Sequence, residues 1–243
     1  MAMHRRRFIG GILGWGCGSR LVAAEQPTRP RIGCYVSQAG QQEPSQYIAS
    51  TGIGEYDRTV KDAVDSVGRV IGRPVGAKVL FMKEYNAHFN PNANIIAFGK
   101  QLLDTIHGLD FKLKVTCIAA HEVAHIFQFE DGYFDLALTD ATVRRNELMA
   151  DHFAGCCLAF IVNGGRAINR GTLYRRKDSV RSAFQLMFNR GDNYFTDPNH
   201  HGTPAERLDA VDWGYETAFE VAGGNPGGDI SRDIMDVSRF GQR

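Results

Sequence analysis

The chain carries no excess of charge of either sign, no internal repeat, no low-complexity tract, and no long apolar run after its first 24 residues. Lys and Arg number 28 against 27 Asp and Glu, a formal net charge of +1. Residues 1–24 hold four of the arginines and no acid, so beyond them 24 basic residues face 27 acidic ones. A chain so balanced has no global attraction for nucleic acid, because the counterion-release contribution needs a basic surface. Nothing after residue 24 approaches the ~20 apolar residues of a membrane-spanning helix. Cysteine is sparse as well. Of 5 in the chain, Cys34, Cys117, Cys156 and Cys157 follow residue 24. Four cysteines allow three complete pairings, and adjacent Cys156 and Cys157 suit no mutual bridge within a helix. With 43% hydrophobic and 23% charged residues, the 243-residue chain is ordinary for a globular protein with one sizeable core, or one core plus an appendage.

The first residues read as a targeting segment. Arg5-Arg6-Arg7-Phe8-Ile9 is basic, Gly10–Gly18 is weakly apolar and glycine-rich, and Val22-Ala23-Ala24 offers small residues for cleavage before Glu25. Residues 1–24 are therefore expected to be an export signal. Arg5-Arg6-x-Phe8-Ile9 resembles a twin-arginine signal, and Arg20 near the cleavage point fits that route better than general secretion. Cys17 follows Gly14-Trp15-Gly16, a poor context for lipid attachment. The expected location is periplasmic or secreted, where disulfides are permitted.

Residues 25–54, rich in Gln, Gly, Pro and Ser, read as an irregular arm with one strand at Ile32–Val36. Val60, Val64, Val67 and Ile71 recur at helical spacing and predict an amphipathic helix over Tyr56–Ile71. Val79–Met82 and Asn94–Phe98 read as strands. Asn94–Phe98 is the candidate edge strand for adding an extended peptide, with an internal place in a small sheet as the competing reading. Helices follow at Gly99–Ile106, Leu113–Glu130, Asp140–Asn163 and Thr172–Phe188, the third ended by Gly164-Gly165. Arg175, Arg176, Lys177 and Arg181 form a basic stripe on the last, read as a solvated face. After the loop Tyr194–His201, Thr203 is an N-cap, Pro204 takes the first helical position, and Glu206 completes a capping box. The expectation is an α+β, mainly helical domain over residues 55–225, with a tail over 226–243.

Chemistry concentrates in His121-Glu122-Val123-Ala124-His125 and Glu147-Leu148-Met149-Ala150-Asp151. Histidines four apart share a helix face and can hold one Zn²⁺, with Glu122 on the same surface within reach of a water at the metal. No Pro or Gly interrupts Lys112–Asp131, and the flanks Thr116–Ala120 and Ile126-Phe127 are uncharged, so this helix is expected to be buried. Burying such a cluster without a partner is costly, and a metal removes the cost. Glu147 and Asp151 also share a helix face. Glu147 is the expected third ligand and Asp151 the carboxylate that orients a ligand histidine, with the swapped roles as the alternative. Cys117, one turn before His121, reads as a small buried hydrophobe rather than a soft ligand. His200 and His201 stand just ahead of a helix start, from which a loop histidine can enter a cleft.

The combination resembles the gluzincin metallopeptidases, over roughly residues 78–215. His121-Glu122-x-x-His125-Ile126-Phe127-Gln128 with Glu147-x-x-Ala150-Asp151-His152-Phe153-Ala154-Gly155 is similar to a bacterial neutral zinc metallopeptidase family. Asn92–Phe98 and His201-Gly202-Thr203-Pro204-Ala205-Glu206-Arg207 are similar to the HtpX and prenyl-protein protease group. The resemblance implies a zincin-like fold, with the motif helix packed on a second ligand helix beside a small sheet. It implies zinc ligands His121, His125 and Glu147, the base Glu122, the orienting Asp151, and His201 and Arg207 either near the substrate oxyanion or supporting the site. Ala124 stands where Gly is frequent and His152 where Cys is frequent, and the membrane spans of the HtpX group are absent. The expected activity is zinc-dependent hydrolysis of peptide bonds in a peptide or protein partner. The competing readings are a zinc hydrolase of cell-wall peptides, a non-catalytic zinc module, and a chaperone-like envelope protein.

Overall fold

The structure, a computed structural model, describes residues 46–133, 143–171, 173, 177–189, 191, 193, 200–225 and 228–237. The expected export signal, the strand at Ile32–Val36, Cys34, Arg175, Arg176 and residues 194–199 lie outside them. Helix α1 spans Gly54–Ile71 and buries Val60, Val64, Val67 and Ile71, the periodic positions read from sequence. Its entry is fixed by the Asp57 carboxylate, which accepts from the Thr51 backbone at 3.0 Å and the Thr51 hydroxyl at 2.7 Å. Gly72 ends it at φ 70, and a Cβ there would lie 2.0 Å from the Gly228 carbonyl, so both conformation and space demand glycine.

Three strands follow: β1 Lys78–Met82, β2 Ala87–Asn90 and β3 Ile95–Gly99, in the order β1-β3-β2. β3 runs parallel to β1 and antiparallel to β2. The segment expected at the edge is therefore central, a correction with a visible cause. All five residues of β3 are buried, the pattern of a strand covered on both faces, and Asn94 belongs to the preceding turn at φ 51. The edges are β1 and β2. Ile48 of the arm bridges Phe81 of β1 through two 2.8 Å backbone bonds, so the arm is ordered where it meets the sheet. β2, not read from sequence, pairs among the described residues with β3 alone. Its Phe89 meets Phe129 at 6.0 Å between ring centroids, which lays the strand along the motif helix.

Helix α2 is Lys100–Ile106, α3 Phe111–Glu130 and α4 Arg144–Val162. Residues 134–142, including the expected start of α4 at Asp140, lie outside the described set. Thr172–Phe188 is not one continuous helix: a 3-10 turn over Lys177–Val180 precedes α5, Arg181–Phe188. Lys177 is held there by Asp212 at 2.8 Å and Glu216 at 2.6 Å, so it is paired rather than part of a solvated stripe. α6 is Pro204–Thr217, with the Thr203–Glu206 capping box as expected, and α7 is Ser231–Val237. Ile230, Ile234 and Met235 are buried, so the segment expected to be a tail completes the core. No described helix is long and apolar enough to cross a membrane.

α3 and α4 are buried nearly all round and pack on each other, with α1 against α3 and α6 against α4. α4 and α6 cross with backbone against backbone. A Cβ on Gly155 would fall 2.0 Å from the Val211 carbonyl, and one on Gly214 would fall 1.9 Å from that of His152. Arg73 secures the far end of α3, pairing with Glu130 and Asp131 at 2.6 Å each and lying 4.4 Å over the Phe127 ring.

Candidate metal centre

Because α3 runs without a break, His121 and His125 stack one turn apart on the face turned to α4. Their Nε2 atoms are 3.1 Å apart and their rings are perpendicular. Glu147, in the first turn of α4, brings Oε2 to 3.3 Å from His121 Nε2 and Oε1 to 3.5 Å from His125 Nε2. His121 is 1% exposed, and His125 and Glu147 are wholly buried.

The outer nitrogens show what the inner ones do. The Asp151 carboxylate lies 2.8 Å from His121 Nδ1 and is gripped by Arg207, whose Nε and Nη2 donate to its two oxygens at 2.7 and 2.8 Å. His121 Nδ1 therefore faces an acceptor. His125 Nδ1 lies 2.8 Å from Gln128 Oε1, and that amide is oriented by Nε2 donating to the Asn146 carbonyl at 2.8 Å. His125 Nδ1 therefore also faces an acceptor. In neutral rings both Nδ1 atoms must donate, so both Nε2 atoms carry lone pairs, and these point at each other and at a carboxylate. Three electron-pair donors converging without a proton repel one another in a buried site; a cation between them removes the repulsion. Two imidazoles and a carboxylate, with ligand atoms all within 4.8 Å of one another, form a group that can hold a metal ion. Such a donor set suits zinc and its neighbours in the transition series.

Burial pulls the His125 imidazole down to about 4, and the opposing pull of Glu147 does not restore it. Burial works the other way on Glu147, yet His125, His201 and His121 hold its carboxyl well below the usual range. Asp151 is likewise held low, burial being outweighed by Arg207 and His121. At neutral pH the site therefore keeps ionised carboxylates and a neutral His125, the protonation states a metal ligand needs.

The residues singled out in sequence come together here. Glu147 faces both histidines, and Asp151 stands behind one of them. Glu122 is wholly buried on α3 between the two histidines. His201 is 3% exposed and near enough to Glu147 to be among the groups that lower its carboxyl. Arg207 is 1% exposed, 3.7 Å from Glu147 and bonded twice to Asp151. Cys117, Cys156 and Cys157 are buried thiols outside the donor group, and burial raises the pKa of Cys156 and Cys157. Sequence reasoning assigned nothing to Gln128, although its position three residues after His125 puts it on the same helix face. Asn146 was also missed: it is wholly buried, and among the described residues neither atom of its side-chain amide has a hydrogen-bond partner. Nothing in the structure explains that.

No family model, no curated protein and no solved structure matches this chain.

Proposed function

We propose that the protein is a zinc-dependent metallopeptidase. The observation that carries the reading is the buried His121–His125–Glu147 group with its inner ligand atoms convergent and its outer nitrogens each facing an acceptor. A zinc ion held there would polarise a water and the scissile carbonyl. Glu122, on the helix turn between the two histidines, takes the proton of the attacking water and passes it to the leaving amine. Its burial keeps solvent from competing for that proton. Asp151 and Arg207 keep His121 in its Nδ1–H tautomer, and Gln128 does the same for His125. His201 enters from the loop before α6 as the nearby group able to donate to a developing oxyanion. An extended peptide has β2 as its rail: the strand lies along α3, and β1 already carries the arm.

The test pairs zinc-loaded protein with its Glu122→Gln variant on a diverse peptide pool, read by mass spectrometry. Zinc content should be equal in the two, with cuts made by the parent alone. A parent that binds zinc and cuts nothing refutes the peptidase reading, and cutting by the variant refutes the role of Glu122.

A further inference from the structure

A recess that shares no residue with the metal group lies along α6. It has a volume of about 420 Å³, within the roughly 300–1,000 Å³ of small-molecule pockets. Trp213, Glu216 and Thr217 are spaced i, i+3, i+4 and so share one face of α6, and Phe219 and Glu220 follow just past its end. Leu173, Arg170 and Lys177 also line it. The inner surface is apolar and aromatic. Trp213 is backed by the buried His152 ring at 4.5 Å, and His152 Nε2 lies 3.3 Å from the Thr217 hydroxyl, so the indole rests on a fixed support. Flat walls of this kind favour a flat apolar ligand.

Among the described residues, the charged side chains of the lining are Arg170, Lys177, Glu216 and Glu220. Lys177 and Glu216 are tied to each other, which leaves Arg170 and Glu220 as a neighbouring pair of opposite charges, and a ligand carrying both charges is served by both. The two ion pairs of the rim differ in strength. Lys177 is bound closely by Asp212 and Glu216 and stays in place. Arg170 and Glu220 meet only at 4.0 Å, with side chains 78% and 49% exposed, and such a pair costs little to open. Once parted, the guanidinium can take a carboxylate in forked geometry and Glu220 an ammonium. Arg170 is already poised over the Phe219 ring at 4.7 Å.

We infer that this recess binds an aromatic amino acid as its free zwitterion, ring against Trp213, carboxylate on Arg170 and ammonium on Glu220. The chain has two tryptophans, Trp15 and Trp213, so the full chain carrying Trp15→Phe has Trp213 as its sole indole. Phenylalanine, which contributes no indole emission, is titrated against Trp213 fluorescence. A saturable change is expected, with binding at least ~10-fold tighter than that of phenylacetate, phenethylamine, N-acetylphenylalaninamide or leucine. Glu220→Gln, at an exposed position, should weaken phenylalanine binding by roughly tenfold and leave phenylacetate bound at least as tightly as before, with a thermal melt confirming that the fold persists. No saturable change up to the solubility of phenylalanine overturns the inference. So does equal binding of the neutral amide or of leucine, or an unaltered affinity in Glu220→Gln.

Discussion

Replacing Gln128 with Leu separates metal binding from folding in a way that only the tautomer reasoning predicts. Gln128 makes two bonds of 2.8 Å, accepting from His125 Nδ1–H and donating to the Asn146 carbonyl. That carbonyl lies inside α4 and keeps its place in the helical ladder, so losing the amide there costs little. His125 is wholly buried, and among the described residues Gln128 Oε1 is the acceptor for its Nδ1–H. A stranded buried donor costs about 1–3 kcal/mol. Without metal the ring escapes this cost by moving its proton to Nε2, where Glu147 Oε1 waits 3.5 Å away. With metal it cannot, because Nε2 must present its lone pair. The cost therefore falls almost entirely on the bound state, and zinc affinity should drop on the order of 10- to 100-fold, as for other outer-sphere partners. Stability of the metal-free protein should scarcely change. Competition against a chromophoric chelator gives the affinity, and denaturant melts with and without chelator give the two stabilities. Gln128→Glu, which restores an acceptor, should recover the affinity. Equal zinc affinity in parent and Leu variant, or a metal-free protein that loses as much stability as the loaded one, would refute the reasoning.

Three other outcomes can be checked. Burial pulls His152 down to about 3, so between about pH 6.5 and 3 the unfolded chain binds a proton that the folded one refuses. Stability from this group is therefore complete above about pH 6.5 and declines as the pH falls towards 3, and His152→Phe should flatten that slope in urea melts at stepped pH. Gly155→Ala places a methyl 2.0 Å from the Val211 carbonyl, and because backbone cannot step aside it should destabilise by ~3 kcal/mol or more, with a loss near zero arguing against the close crossing of α4 and α6. Asn146→Leu removes a buried amide without partners among the described residues and should raise the melting temperature by a few degrees. If it also abolishes peptide cutting while zinc stays bound, Asn146 touches substrate; a lower melting temperature would show that the amide is satisfied.

The legible parts of this chain were those whose signal is local. His121 and His125, Glu147 and Asp151, and the Thr203–Glu206 box are all defined by spacings within one or two turns, and the structure brings them to the geometry those spacings imply. The central place of β3 was also written locally. Ile95-Ile96-Ala97-Phe98-Gly99 is a run without polar alternation, which belongs to a strand covered on both faces, and it was weighed too lightly. β2 gave little to read, since Ala87-His88-Phe89-Asn90 has only two apolar residues and owes its extended form to pairing with β3. The partnership of Arg207 with Asp151 could not be read from sequence spacing, because it exists only through the packing of α6 on α4. Without the resemblance, Arg207 would have passed for a solvated arginine in the first turns of an ordinary helix.

Where Gly155 and Gly214 meet, no layer of side chains lies between two backbones to be compressed, rotated or slid over. α4 and α6 therefore move as one body, and Glu147, Asp151 and Arg207 ride on it together. Breathing of the site has to occur elsewhere, across the side-chain seam between this body and α3. Each such excursion separates the histidines from the carboxylates while leaving every carboxylate with its arginine. Amide hydrogens of α4 and α6 should then exchange in unison, on one clock, whatever the state of the metal.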